Sequence, residues 1–350
     1  MKIAQIAPLV ESVPPKLYGG TERVVHYLTE ELVRQGHNVT LFASGDSLTT
    51  ADLVPCSDGA LRLDPRVQDP IPHYMIMLDA VRRRASEFDV LHFHIDCLHF
   101  PLFREISSRT VTTLHGRQDL PDLWPFYRQF DDMPLVSISH YQRRPMPQVR
   151  WAGTVYHGMP VDNYPFTRSP DGDYLAFLGR ICPEKRPDRA IEIAKRAGMK
   201  LKIAAKVDRV DQVYFEEEIQ PLLSHPLIEF VGEIDEHEKG SFLGGARAVL
   251  FPIDWPEPFG LVMIEAMACG APVIAYRCGS VPEVVDHGVS GFIVESIDQA
   301  VDAVRNLDAL DRLRVRERFE RRFSAERMAE DYLAIYRALS QPEELPVQAA

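Results

Sequence analysis

The chain has few cysteines: five in 350 residues, at Cys56, Cys97, Cys182, Cys269 and Cys278. They are scattered, odd in number and nowhere spaced C-x-x-C, which excludes a disulfide frame or a cysteine zinc site and reads as reduced thiols of a cytoplasmic protein. Cys97 and Cys269 are expected to fill core space. No apolar run approaches the ~18 residues of a membrane span. The opening MKIAQIAPLV carries one Lys and is soon interrupted by Glu11 and Pro14, so it reads as a first strand and not as a signal peptide. Positive charge is also short. The formal net charge of −12 excludes a general nucleic-acid binder and requires any anionic ligand to be met by a local basic patch. No G-x-G-x-x-G is present, which removes the main support for a dinucleotide-binding dehydrogenase. Repeats and low-complexity segments are absent apart from a loose tail at 341–350.

What is present suffices for two α/β domains, with 45% hydrophobic residues over 350 positions. Strands are expected at Lys2–Ala7, Val39–Ala43, Val90–His94, Val111–Leu114 and Leu135–Ser139, alternating with helices. A Pro-rich loop, Pro8–Tyr18, leads to Gly19-Gly20-Thr21, where Thr21 is the expected N-cap of a helix with Val24, Val25, Leu28 and Leu32 on one face. A second series runs through Tyr174–Leu178, Leu201–Ala205, Ile228–Val231, Ala248–Pro252 and Val273–Tyr276, with Pro187 as the first residue of a helix. Such alternation predicts parallel sheets with helices on both faces and ligand contacts just beyond strand C-termini, where His115-Gly116 and Ser139-His140 fall. The prolines between Gly158 and Pro170 suggest the linker. The expected division is 1–165, 166–325, a closing helix over 326–340 packing back on the first domain, and the tail.

The most informative stretch is Phe251–Val294. An apolar strand ends at Pro252, a loop follows, and after Gly260 an apolar helix runs from Leu261 to Ala268. A helix N-terminus behind a glycine presents backbone N–H groups and the positive dipole end to an anion such as phosphate. Glu257 and Glu265 bracket this start. Carboxylates there would repel an anion unless they bind hydroxyls, and a ribose and a sugar ring supply hydroxyls. The stretch therefore suggests a nucleotide-sugar pocket.

Several ordered motifs resemble glycosyltransferase family 4: Gly19-Gly20, Thr113-Leu114-His115-Gly116, Tyr156-His157-Gly158, Gly179-Arg180 with Lys185, the segment EPFGLVMIEAMACGAPVIA, and the ending RFSAERMAEDYLAIYRAL. The resemblance runs to about residue 340. It implies a GT-B fold, two Rossmann-like doubly wound domains facing across a cleft. It also implies a retaining, metal-independent transfer of a hexose from a nucleotide-diphosphate sugar, with UDP as the family-weighted base, to an acceptor hydroxyl. By resemblance, Arg180 and Lys185 grip the diphosphate, and Phe259, Gly260, Leu261 and Val262 offer backbone N–H groups to phosphate or sugar. Glu265 takes the ribose hydroxyls, Glu257 the donor sugar, Gly19 and Gly20 the close approach to the donor phosphate, and His115 the neighbourhood of the donor sugar. No cofactor beyond the donor is implied, the acceptor is left open, and nothing indicates membrane association.

The turn Ala204-Ala205-Lys206-Val207-Asp208 departs from the glycine-rich turn of many relatives and leaves the base open. The loop Pro121–Met133 is the expected place of acceptor features. A sugar-nucleotide epimerase, a phosphorylase or a non-catalytic binding module are the alternatives on the same fold. His92 and His94 share a strand face, yet only Asp96 stands near as a carboxylate, so a structural role is expected in place of a metal pair. Asp171-Gly172-Asp173 precedes a strand and is expected to hold no metal. Arg82-Arg83-Arg84 and Arg143-Arg144 are expected to be solvated faces.

Overall fold

A computed structural model of the chain describes residues 1–16 and 19–340. The expected tail at 341–350 lies outside the described residues, as do two positions of the expected Pro8–Tyr18 loop. The chain forms two compact units: Met1–Ile138 with Arg143–Gly158 and the segment from Ala325, and Met159–Ser324 with Ser139–Gln142.

The first unit carries a seven-stranded sheet. Its strands are β1 (Lys2–Ile6), β2 (Asn38–Ala43), β3 (Asp52–Pro55), β4 (Val90–Phe93), β5 (Thr110–Thr113), β6 (Leu135–Ser137) and β7 (Trp151–Thr154). Their order is β3-β2-β1-β4-β5-β6-β7. All pairings are parallel. The central strands are buried on both faces, as in a sheet covered by helices on each side, with Gln5 and His92 as polar members among their apolar residues. The helix Gly20–Arg34 buries Val24, Val25, Leu28 and Leu32. Its N-cap is Gly19, not Thr21: the helix begins two residues earlier than the side-chain preference of threonine suggests, and no side chain caps it. The helix Ala325–Ser340 belongs to this unit, where Tyr332 and Tyr336 are fully buried.

The second unit carries β8 (Tyr174–Arg180), β9 (Lys200–Lys206), β10 (Ile228–Gly232), β11 (Ala248–Phe251), β12 (Val273–Tyr276) and β13 (Gly291–Val294). These form a six-stranded sheet ordered β10-β9-β8-β11-β12-β13. Every pairing is again parallel. Its core joins Leu175, Phe177, Leu201, Ile203, Leu250 and Ile274 to the inner faces of the flanking helices. The helix Pro187–Ala197 starts on its expected proline and ends at Gly198 in the left-handed region.

Apart from Ser139–Gln142, the chain passes from the first unit to the second at Gly158–Met159, ahead of the linker prolines. Tyr164 and Pro165 already pack within the second unit, where a Cβ on Gly240 would lie 3.0 Å from Pro165 Cδ. Two sequence expectations need correction. The stretch Pro121–Met133 contains a helix, Leu123–Gln129, with Tyr127 buried against Phe100. The strand after Pro134 stops at Ser137, and Ser139-His140 group with the second unit, not with the end of β6. The N–H groups of His140 and Tyr141 donate to the Glu283 carboxylate, each at 2.7 Å, which explains that capture.

Candidate active site

In the second unit the strand order reverses between β8 and β11: β9 and β10 lie to one side, β12 and β13 to the other. Open α/β sheets bind ligands outside the C-terminal ends of the strands at such a switch point. Arg180 ends β8, and Lys185 closes the short turn Pro183–Lys185 just after it. The loop from Pro252 to Gly260 leaves β11. Both cations and the Glu257–Gly260 segment therefore follow the two strands of the switch point.

The β11 loop is held on several sides. Arg189 donates to the Pro252 carbonyl at 3.0 Å, and the Asp254 N–H donates to the Glu184 carbonyl at 2.9 Å. From the far side, Ser280 donates its N–H to the Glu257 carbonyl at 3.0 Å and its hydroxyl to the Phe259 carbonyl at 2.7 Å. Gly279 makes that approach possible. Its φ is +58°, and a Cβ there would sit 2.4 Å from both the backbone nitrogen and oxygen of Glu257.

Glu257 is 8% exposed. Its Oε2 pairs with Lys185 Nζ and accepts from Trp255 Nε1 at 3.0 Å. The Lys185 ammonium also lies 5.5 Å from the Phe251 ring centre and 5.2 Å from that of Trp255. Two aromatic faces and one carboxylate thus fix its position. Phe259 is buried, which anchors the loop at the entry to the helix. Gly260, the N-cap, adopts φ 82°, ψ 74°, and a Cβ would meet Met263 Cε at 2.8 Å and Phe251 Cζ at 3.1 Å. The helix Leu261–Ala268 supplies no acceptor for the N–H groups of Leu261 and Val262, so this end is chemically suited to an anion.

Glu265 is 4% exposed on the same helix. Lys239 Nζ lies 3.2 Å from its Oε1, and the Tyr164 hydroxyl donates to that oxygen at 3.4 Å. Lys239 also pairs with Glu236 at 3.0 Å, and the Glu236 carboxylate is the closer acceptor of the single Tyr164 hydroxyl proton, which it shares with Glu265. Sequence reasoning missed Lys239 and Tyr164. A buried carboxylate needs a partner, and Lys239 is the one Lys or Arg of the helix Glu236–Gly244, so the signal was present. A groove of about 640 Å³ opens beside Glu236, His237, Gly240, Ser241, Asn163 and Thr167; Asp171 of the Asp171-Gly172-Asp173 segment also lines it, and the residues assigned to the donor do not.

Two family profiles cover most of the chain. The profile described as Glycosyltransferase Family 4 matches residues 18–153, and that described as Glycosyl transferases group 1 matches 165–322. The chain belongs to glycosyltransferase family 4. It is 24% identical to an uncharacterized glycosyltransferase of Methanocaldococcus jannaschii, over 86% of this chain and 88% of that one. It is 26% identical to the glycogen synthase of Mycobacterium tuberculosis, over 95% and 96%. Among solved structures, HepE of Anabaena in complex with UDP-glucose superposes with a TM-score of 0.70 at 19% identity, over 97% of this chain and all of that one. The two sheets are those of the GT-B fold.

In the first unit of this glycosyltransferase, the strand order reverses between β1 and β4. Gly19 and Gly20 begin the helix that follows β1, and His115 stands two residues beyond β5. A polar relay supports His115. Its Nε2 lies 2.9 Å from His94 Nδ1, and His94 Nε2 lies 2.8 Å from Gln5 Oε1. Gln5 donates to the Tyr336 hydroxyl at 3.2 Å, which meets His92 Nδ1 at 2.7 Å. His92 Nε2 meets Thr113 Oγ1 at 2.7 Å, and the His157 ring stacks on His115 at 5.3 Å. Both nitrogens of His92 and of His94 are thus engaged by protein groups. Among the described residues no group of three or more His, Cys, Asp or Glu is placed to hold a metal ion.

Burial drives the His115 ring down to about 3 and holds His92, His94, His99 and His157 well below the ordinary imidazole range. All five are neutral at neutral pH. His115 Nδ1 is buried with no hydrogen-bond partner. No helix among the described residues is long and apolar enough to cross a membrane.

Proposed function

We propose that this glycosyltransferase moves a hexose, with retention, from a nucleotide-diphosphate sugar to an acceptor hydroxyl. The observation that carries the reading is the Lys185–Glu257 pair at the switch point of the second unit, next to Arg180 and the Leu261 helix start. An ammonium and a guanidinium can neutralise a diphosphate, and the helix N-terminus adds backbone donors. Together they supply the charge stabilisation that a divalent metal gives other transferases. Glu257, held by Lys185 and Trp255, is assigned to donor-sugar hydroxyls. Glu265, held by Lys239 and Tyr164, is assigned to ribose hydroxyls.

In the chemical step the bond from the anomeric carbon to the phosphate oxygen breaks, and the acceptor oxygen bonds to that carbon on the face the nucleotide leaves. The acceptor proton passes to the departing phosphate, so no separate general base is needed. UDP is the base we favour, because HepE, of the same fold, holds UDP-glucose. The first unit is assigned the acceptor. The test is turnover of radiolabelled UDP-, GDP- and ADP-sugars by wild type and Glu265→Ala, with the product's anomeric configuration read by NMR. Full turnover in the variant contradicts the ribose assignment; an inverted product contradicts retention.

A further inference from the structure

Arg180 is held in an unusual way. In the sheet its Cα pairs with that of Lys206, the last residue of β9. The chain then turns through Asp208 and the short helical turn Arg209–Asp211. Arg180 Nη1 lies 3.6 Å from Asp208 Oδ2, and its Nε lies 3.5 Å from Asp211 Oδ2. Both distances exceed those of a good hydrogen bond. Asp208 is shared, because its Oδ1 lies 3.0 Å from Lys206 Nζ. The Asp211 side chain is 12% exposed, and its Oδ2 is buried without a hydrogen bond. Burial, with Glu184 and Asp208 near it, raises its carboxyl above the ordinary range despite Arg180.

An arginine that serves the fold is placed otherwise in this unit. Arg186 forks onto Asp188 with contacts of 2.7 to 3.1 Å. At Arg180 the two aspartates neutralise the guanidinium from outside hydrogen-bond range, and the Cys182 thiol and the Glu184 carboxylate lie beside it as well. An under-satisfied buried carboxylate costs stability, so its presence beside this one arginine calls for a use.

We propose that Asp208 and Asp211 are positioning residues that act through Arg180, keeping its guanidinium neutralised while the site is empty and weakening its grip on a nucleoside diphosphate so that the spent nucleotide leaves. This rests on the assignment of Arg180 to the donor diphosphate. When phosphate oxygens take the guanidinium fork, the two carboxylates stay close and oppose the added negative charge. The pair therefore sets an upper limit on affinity for the product.

The test is titration calorimetry with UDP, GDP and ADP, each without sugar, on the full chain. Wild type, Asp211→Asn, Asp208→Asn, Arg180→Ala and Arg180→Ala/Asp211→Asn are compared. For whichever nucleotide wild type binds, Asp211→Asn is expected to lower Kd about tenfold, about 1.4 kcal/mol. Asp208→Asn, shared with Lys206, should lower it less. In the Arg180→Ala background the Asp211 effect should shrink below about twofold, a coupling that a structural role would not produce. Unchanged or weaker binding by both Asn variants overturns the proposal, as does an equal gain without Arg180. If Arg180→Ala binds as wild type does, the donor assignment itself fails. If it loses affinity while the Asn variants do nothing, the proposal alone fails. Wild type that binds none of the three overturns both.

Discussion

Acid should destabilise the first unit through its buried histidines, and His115 gives the size of the effect. Its ring is held at about 3 in the fold by desolvation, against about 6.5 in an unfolded chain. A lowered histidine pKa means that the unfolded state binds the proton first. Stability is therefore complete above the unfolded value and is lost as pH falls below it, down to the folded value. Between pH 7.5 and 5.5, His115 alone removes about 1.4 kcal/mol. His92, His94, His99 and His157 act in the same direction, because each is buried and driven well below its ordinary range. Glu22 and Asp96, both raised by burial, work the other way. Calorimetric unfolding of the full chain across this window should show a transition that falls steadily with pH. In His115→Asn the fall should be shallower by about the share of one proton. A flat transition from pH 7.5 to 5.5, or a variant with the wild-type slope, would refute the reasoning.

Three further outcomes follow from packing. Lys185→Met leaves the Glu257 carboxylate buried without its cation and should cost about 2 kcal/mol in urea unfolding, while Lys185→Met/Glu257→Gln regains most of that stability. Arg312 gives the second unit a buried cation that donates to the carbonyls of Thr167, Ala246 and Gly244, each at 2.8 Å, and burial lowers it to about 10. Arg312→Leu strands those carbonyls and should lower unfolding stability by about 3–5 kcal/mol, measured by denaturant titration. Gly279→Ala places a methyl against the Glu257 backbone at positive φ; a loss of about 2–3 kcal/mol and weaker nucleotide binding are expected, and an unchanged urea midpoint would show that the loop can shift.

Much of the fold was legible because buried parallel strands are short apolar runs between helices with one apolar face. Pro187 opened its helix as its fixed φ requires. The strands that escaped were Asp52–Pro55, Trp151–Thr154 and Gly291–Val294, each four residues and each partly exposed. Such segments carry too little pattern to separate from loop. Thr21 misled because a side-chain cap is only one way to start a helix, and Gly19 takes that place in extended backbone. In the second unit the Glu257–Glu265 segment was readable, since its residues lie close in sequence. The Gln5–His94–His115 relay was not. Its hydroxyl partners, Tyr332 and Tyr336, stand more than two hundred residues further on and reach β4 and β5 only through tertiary packing. Ser139–Gln142 escaped for the same reason, since its partner Glu283 lies far along the chain.

The central claim is that the Arg180–Lys185–Glu257 constellation of the second unit binds the diphosphate of a sugar donor and releases it as a free nucleotide. The most direct measurement is nucleoside-diphosphate release from a panel of UDP-, GDP- and ADP-sugars by wild type and Lys185→Ala, with sugar 1-phosphates assayed alongside. The account predicts release from at least one nucleotide sugar by wild type, a fall of about a hundredfold or more in Lys185→Ala, about 2.7 kcal/mol of lost transition-state stabilisation, and no turnover of sugar 1-phosphates. Wild-type rates in Lys185→Ala, or turnover of sugar 1-phosphates without nucleotide release, would contradict it.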